Sequence, residues 1–349
     1  MSEKLTIIFL SRSYYPNIGG VEKHIYELSK RLVSRGCKIT ILAEDAVTKS
    51  ISIAEKEYLL GGVDVIRIPV GHQDWFKKFR IWKWIWENRE IFIKADLTHC
   101  HDVFYWYLPI ALLYPLKPVY TTFHGYEGYP VKLKAIIYRK VFEYMSNGSI
   151  CVGEFMRKWY HANPTKVIYG AVNISKISAV RPKKNSAIFI GRLDEHTGID
   201  AYVQAVSLIR KKIPDFTLTV FGDGPLREKI KKDGIIIKGE NPYADKEISK
   251  YEYAFVSRYL AILEAMAAKR LVISYYDNPI KKDYLSMTPY GELIIQENSA
   301  KGIALSVGGN VYDNKDPNLS LRINNAYLLV QEQSWDFLAM EHLKFWTRS

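Results

Sequence analysis

The stretch Ser13-Tyr-Tyr-Pro-Asn-Ile-Gly-Gly-Val-Glu-Lys-His24 sets paired glycines between two apolar segments. Before it runs Leu5–Leu10; after it Val21, Ile25, Leu28 and Leu32 recur at helical spacing. The order is strand, glycine-containing loop, helix. Without a Cβ, Gly19 and Gly20 let the backbone approach a ligand closely. A helix starting behind them offers unpaired N–H groups and a positive dipole end, which suits an anion. The same pattern also serves α/β domains as a plain packing turn, so the loop takes its meaning from the rest of the chain.

The elements that would position such a loop alternate regularly. Short Ile/Val-rich runs fall at Leu5–Leu10, Lys38–Ala43, Val63–Pro69, Ala95–His101, Val119–His124 and Ser149–Gly153. Helix-like stretches lie between them, around Val21–Arg35, Trp75–Lys94, Trp106–Tyr114, Leu133–Met145 and Glu154–His161. The polar segment Arg181-Pro-Lys-Lys-Asn185 reads as a linker. The pattern then restarts at Ala187–Gly191, Thr217–Gly222, Ile235–Gly239, Tyr253–Ser257, Leu271–Tyr275 and Glu292–Gln296. This alternation predicts an α/β protein of two doubly wound parallel sheets, with ligands at the carboxyl ends of the strands in a cleft between the domains.

At 349 residues the chain is long for a single core. Its 48% hydrophobic and 25% charged content is that of a water-soluble protein. Tyr105–Leu116, the longest apolar stretch, is too short to span a bilayer and carries Pro109 and Pro115. The N-terminal residues read as a first strand and not as a leader. Cys37, Cys100 and Cys151 form no CxxC pair, which predicts buried thiols in a reducing, cytoplasmic setting. The net charge of +12 is uneven, with 24 Lys and Arg against 16 Asp and Glu in residues 1–175, and 25 against 21 in residues 176–349. A basic surplus suits a phosphorylated substrate, an anionic membrane surface or nucleic acid; no nucleic-acid-binding signature accompanies it, so nucleic acid is not expected as a partner.

Taken in order, several motifs resemble the retaining glycosyltransferases of family 4, whose fold is called GT-B. Tyr15-Pro-Asn-Ile-Gly-Gly-Val-Glu22 is similar to the family's N-terminal loop. Ala95-Asp-Leu-Thr-His-Cys-His-Asp102 resembles its fourth strand, and Thr122-Phe-His-Gly125 its active-site His-Gly. Gly191-Arg-Leu193 resembles the phosphate-binding start of the second domain. Phe221-Gly-Asp-Gly-Pro225 is similar to the Gly-x-Gly turn, and Leu263-Glu-Ala-Met-Ala267 to the nucleotide-binding helix. The resemblance implies an N-terminal, acceptor-side domain over residues 1–176, completed by a C-terminal helix at 334–349 that crosses back onto it. Residues 177–333 would form the domain that binds the nucleotide-sugar.

It also implies roles. A sugar nucleotide leaves a diphosphate behind, so growing negative charge must be stabilised. Arg192 would supply a permanently charged fork for it, and Gly19 and Gly20 backbone N–H groups. Gly222 and Gly224 would line the nucleotide turn, and Glu264, early in its helix, would hold the ribose. His124 would face the transferring centre, the other reading being a turn histidine satisfied by backbone. Glu22 and His101 fall on the acceptor side. No Asp-x-Asp motif is present, and the resemblance implies a reaction that needs no metal and no cofactor, with no protein nucleophile.

Two departures from the family stand in the sequence. Thr197 occupies the place where the family usually has a lysine, and Val256 that of a glutamate that grips the donor sugar. The loop before Glu264 is shortened to about Ser257-Arg258-Tyr259. Arg258 could replace the missing charge; the other reading is a plain surface arginine.

Trp75-Phe-Lys-Lys-Phe-Arg-Ile-Trp-Lys-Trp-Ile-Trp86 is the clue to the acceptor. On a helix, Trp75, Phe79, Trp82 and Trp86 share a face expected to meet the core. Ile81, Trp84 and Ile85 share another, among Lys77, Lys78 and Arg80, and this face resembles a membrane-contacting helix. A doubly packed core helix or an oligomer contact is the alternative. The expectation is therefore a cytoplasmic glycosyltransferase, peripheral on the inner membrane face, moving a sugar to a lipid-linked or glycan acceptor. The rivals are a sugar-nucleotide epimerase on the same fold and a non-catalytic sugar-nucleotide-binding scaffold.

Overall fold

Strands buried on both faces belong to parallel sheets covered by helices, and both apolar series of this chain fold that way. The computed structural model describes residues 5–17, 19–44, 62–174, 181–312 and 317–347. The chain divides into two units, Met1–Ile168 with Leu338–Ser349, and Tyr169–Phe337.

The first unit holds β1 (Thr6–Ser11), β2 (Lys38–Glu44), β3 (Val63–Ile68), β4 (Leu97–His101), β5 (Val119–Phe123), β6 (Gly148–Val152) and β7 (Lys166–Ile168). They pair in the order β3-β2-β1-β4-β5-β6-β7, all parallel. Successive residues of β1 serve opposite faces. Ile7 and Phe9 pack with Ile25, Leu28 and Leu32 of the helix Gly20–Ser34, and with Ala339 and Trp346 of the C-terminal helix. Ile8 and Leu10 pack with Ile81, Ile85, Phe92, Phe104 and Trp106. The short β7 was not apparent in the sequence; its Lys166 pairs with Glu341, and the Lys166 and Lys344 ammonium groups hold that carboxyl down at about 2.

The second unit holds β8 (Lys183–Ile190), β9 (Thr217–Phe221), β10 (Ile235–Gly239), β11 (Tyr251–Phe255), β12 (Leu271–Tyr275) and β13 (Ile295–Glu297). Their order is β10-β9-β8-β11-β12-β13, again all parallel. Strand order reverses between β1 and β4 in one sheet and between β8 and β11 in the other. Those are the switch points at which open parallel sheets bind ligands.

The C-terminal helix, Trp335–Thr347, starts where the Ser334 hydroxyl accepts from the Phe337 N–H at 3.1 Å. From Leu338 onward it belongs to the first unit. All three cysteines are buried and free.

Five expectations are corrected. Residues 183–185 of the supposed linker open β8, where Asn185 sits at φ 54° and its N–H meets Glu252 at 2.9 Å. Trp75–Lys94 is two helices, Lys77–Glu87 and Arg89–Lys94, parted at Asn88. Phe255 ends β11, so Val256 lies beyond the strand, and Glu264 is the sixth of nine residues in the helix Tyr259–Ala267, not an early one.

The largest correction concerns the faces of Lys77–Glu87. Ile81 and Ile85 are fully buried, and Trp84 packs against the same core. Trp75 is 74% exposed, and Phe76, Phe79 and Trp86 are exposed as well. Ile81 therefore cannot meet a membrane, and Trp84 is half-buried against the core. Aliphatic side chains four residues apart fit flat against the sheet, whereas Trp75 and Phe76 precede the helix and never join its stripe. Lys77 pairs with Glu44 and Arg80 with Asp74, which removes both from a free basic face. Lys78 lies over the rings of Trp75 and Phe79, at 4.8 and 4.9 Å from their centres.

Candidate functional site

In the first unit, the carboxyl end of β4 and β5 gathers histidines. His99 and His101 share a strand face by the period of two and stack with ring centres 4.9 Å apart. His24, from the helix Gly20–Ser34, meets the His124 ring edge-on at 4.9 Å. His342 of the C-terminal helix lies 5.8 Å from His99 and 6.2 Å from His24. Five of the chain's eight histidines thus converge from four separate stretches.

Hydrogen bonds order this cluster. The Trp346 indole N–H donates to His99 Nδ1 at 3.0 Å, so His99 carries its proton on Nε2 and donates it to Thr122 Oγ1 at 2.7 Å. His342 donates from Nδ1 to the Leu338 carbonyl at 2.8 Å. His101 Nδ1 and His124 Nε2 share a hydrogen bond of 2.8 Å. Burial disfavours the imidazolium throughout. It pushes His24, His99 and His101 well below the usual histidine range, lowers His124, and takes His342 down to about 4. His124 is the one half-buried member; the other four are buried.

Two further contacts hold His124. Its backbone N–H donates to the Asp102 carboxylate at 3.0 Å, from a residue at φ 60°. The next residues are clamped by Arg139, which donates to the Gly125 carbonyl at 2.5 Å and to Glu127 at 2.9 Å. Tyr160 donates to Glu127 at 2.7 Å, and its ring lies 3.7 Å under the Arg139 guanidinium. His24, His101 and His124 have ligand nitrogens within 4.8 Å of one another and form, among the described residues, the group able to hold a metal ion. The His101–His124 hydrogen bond occupies one nitrogen of each ring and leaves the other nitrogen of each outside it.

Of the residues read from the N-terminal motif, Gly19 is the extended N-cap of its helix at φ −166°, a conformation open to any residue. A Cβ there would press on the Glu22 carboxylate. Gly20 is the first helical residue, and Ile18 lies outside the described residues.

The second unit builds a turn at the end of β8 that Arg192 opens and Arg258, beyond β11, reaches. Arg192 follows β8, is exposed, and pairs with Asp194 at 3.5 Å. Asp194 caps the short turn Glu195–Thr197 by accepting from the His196 N–H at 3.0 Å. Thr197 is buried, its hydroxyl spent on the Asp194 carbonyl at 2.8 Å. Gly222 and Gly224, at φ 151° and 155°, pack on this turn. A Cβ on Gly222 would overlap the Gly191 carbonyl, and one on Gly224 would come within 2.6 Å of the Leu193 carbonyl. Their observed part is thus to hold the Arg192 turn. Arg258 is the N-cap residue of Tyr259–Ala267, and its guanidinium reaches the His196 carbonyl at 3.5 Å. Behind it, Tyr259 and Tyr284 stack at 3.9 Å, and Tyr259 donates its backbone N–H to the Tyr284 hydroxyl and its own hydroxyl to the Tyr284 carbonyl. Glu264 is half-buried.

The structure therefore brings His101 to His124, and Arg258 to the turn that begins at Arg192. Sequence reading missed His24, His99, His342 and Arg139. The i, i+2 pair His99/His101 was a readable sign of a one-faced pair; the long-range partners carried no sign.

A model for Glycosyltransferase Family 4 matches residues 18–176, and one for Glycosyl transferases group 1 matches residues 184–304. The chain is 26% identical over 310 residues to a phosphatidylinositol N-acetylglucosaminyltransferase subunit of Arabidopsis thaliana, covering 78% of this chain and 67% of that one. It is 29% identical over 234 residues to a glycosyltransferase of Methanocaldococcus jannaschii, covering 64% of this chain and 61% of that one. Against the curated relatives it matches, the chain spans about half to two thirds of their length. The crystal structure of Anabaena HepE in complex with UDP and glucose superposes with a TM-score of 0.76 at 12% identity, covering 99% of this chain and all of that one. Two family models placed end to end over two Rossmann-like units, with this strand order in each, establish that the chain belongs to the family 4 glycosyltransferases of GT-B fold.

Proposed function

We propose that this protein transfers a sugar from a nucleotide-sugar donor to a lipid-linked or glycan acceptor, with retention of anomeric configuration and without a metal. The observation that carries the reading is the turn at the β8/β11 switch point, where Arg192 and Arg258 meet one loop buttressed by Gly222 and Gly224. Permanent guanidinium charge at that place suits a diphosphate leaving group. Glu264 would take the ribose hydroxyls. In the first unit His124, half-buried and backed by His101, offers a neutral imidazole to the reacting sugar, with Gly19, Gly20 and Glu22 beside it in the family's motif order. The names of the relatives, one a transferase acting on phosphatidylinositol and one bound to UDP and glucose, support the same substrate classes.

A peripheral seat on the cytoplasmic membrane face completes the reading. Among the described residues no helix is long and apolar enough to cross a membrane. The exposed Trp75, Phe76, Phe79 and Trp86 sit beside Lys78 and Arg89, and aromatic rings interleaved with cations suit an anionic lipid surface. Trp75→Ser should weaken binding to anionic vesicles and leave the melting temperature unchanged, whereas Ile81→Ala should lower stability by about 2–5 kcal/mol. Equal vesicle binding by Trp75→Ser would remove this patch from the membrane.

The deciding experiment incubates the protein with a panel of nucleotide-sugars and membrane lipid extract, with and without a chelator. Release of nucleoside diphosphate that requires the extract and tolerates the chelator is expected, with the product's anomeric configuration read by NMR. Release of free sugar or an altered nucleotide-sugar without acceptor would make the protein an epimerase. Binding with no turnover in any extract would make it a scaffold.

A further inference from the structure

Lysine is almost never fully buried unless paired. Lys281, third residue of the helix Pro279–Ser286 that follows β12, is 1% exposed. Its backbone N–H is used by the Asn278 cap at 2.9 Å. Its ammonium donates to the His196 carbonyl at 3.2 Å and lies 5.2 Å from the centre of the Tyr275 ring. Among the described residues no carboxylate comes within ion-pair distance of it. The same His196 carbonyl takes the Arg258 guanidinium at 3.5 Å. Two cations thus converge on one neutral dipole, at the end of the turn that Arg192 opens.

Burying a cation without an ion-pair partner is costly, and here Arg258 adds to that cost while Asp277 and Asp194 offset part of it. The place also gathers the carboxyl ends of β8, β11 and β12 and the N-termini of Tyr259–Ala267 and Pro279–Ser286, whose dipoles favour an anion. Thr197 brings no charge to this turn; Lys281 brings one from a helix more than eighty residues further along the chain.

We propose that Lys281 is a phosphate-binding residue whose ammonium, together with Arg258, receives the diphosphate of a nucleoside-diphosphate donor. The assignment rests on the donor reading given above. The groups that face the ammonium are Asp277 before its helix, Arg258 at the neighbouring helix start, Asp194 and the His196 carbonyl in the turn, and the Tyr275 ring. Burial, with Arg258 adding to it against Asp277 and Asp194, brings its pKa down to about 8. An arriving diphosphate reverses that balance, so binding takes up a proton as pH rises past about 8, and affinity falls there.

The test measures calorimetric affinity of the full chain for UDP, GDP, CDP and ADP, and for the monophosphate of whichever binds tightest. Lys281→Met should lose about 10- to 100-fold in diphosphate affinity, as expected for a hydrogen bond to a charged group, and less than threefold for the monophosphate. In the wild type the ratio of diphosphate to monophosphate affinity should fall between pH 7.5 and 9.5, and Lys281→Arg should flatten that fall. Unchanged diphosphate affinity in Lys281→Met, or equal losses for both ligands, would overturn the assignment. Should Lys281→Met fail to fold, a wild-type ratio that is constant over this pH range overturns it equally. If the wild type binds none of the four diphosphates, the donor reading itself falls, and Lys281 with it.

Discussion

The carboxyl ends of the two sheets solve opposite electrostatic problems. At β4 and β5, five imidazoles are packed so tightly that burial keeps them neutral, and their nitrogens are ordered by one another, by Trp346 and by Thr122. At β8 and β11, Arg192, Arg258 and Lys281 gather at one turn, where Asp194 is the carboxylate paired with Arg192 among the described residues. The carboxyl end of one parallel sheet thus gathers buried, neutral imidazoles, and that of the other gathers guanidinium and ammonium groups around one turn. The lesson is that the topology supplies a place, and side-chain desolvation decides what chemistry the place supports.

The sharpest way to break this contrast is His124→Ala. Transfer should fall by about 10²–10⁴-fold, the usual worth of a positioned acid or base, while nucleoside-diphosphate affinity stays as it was. A loss of donor affinity in step with rate would mean that the histidine region is not a separate chemical site.

Gly222→Ala should come next. Its Cβ has no room beside the Gly191 carbonyl, and φ 151° disfavours any side chain. A loss of about 2–4 kcal/mol in urea unfolding is expected, with no comparable cost for Gly125→Ala, where nothing lies within 4 Å of a Cβ. Equal costs at both positions would show that the turn is not held by backbone contact.

Arg192→Ala should weaken nucleoside-diphosphate binding by about 10- to 100-fold, and because the side chain is exposed the fold should be untouched. Unchanged affinity in calorimetry removes Arg192 from the receptor.

The last effect is a pH slope. The cluster histidines have folded-state pKa values below the ordinary value, so the unfolded chain binds more protons in acid. Stability is then full above about pH 6.5 and declines as pH falls, for His342 until about 4. Each such histidine should contribute up to about 1.4 kcal/mol per pH unit within that window. Replacing His342 by glutamine should flatten the urea-midpoint profile between pH 6.5 and 4. A profile as steep as the wild type's would show that His342 is protonated in the folded state.

Much of this was legible in the residues alone. Helix Leu133–Met145 and strands Ile235–Gly239 and Leu271–Tyr275 follow from local apolar patterns that no distant contact had to complete. Gly222 and Gly224 announced a tight turn, and Thr197 and the three residues between β11 and its helix announced a departure from the family's loop. Lys77–Glu87 was misread because apolar residues occupy both of its faces. Only the sheet beneath, through Ile8, Ile68 and Val70, selects Ile81 and Ile85 as the buried pair.

The sequence by itself determined the alternation of elements, the parallel sheets that follow from it, and the glycines at each turn, because these rest on contacts within a few residues. Only the tertiary structure decided which histidines meet, since Trp346 reaches His99 across 247 positions, and which lysine stands at the Arg192 turn, since Lys281 arrives there from 85 positions beyond His196. Charge state followed from that assembly and not from residue type. Burial beside like neighbours makes these imidazoles neutral and brings one ammonium within reach of titration, and burial is a property of the folded neighbourhood.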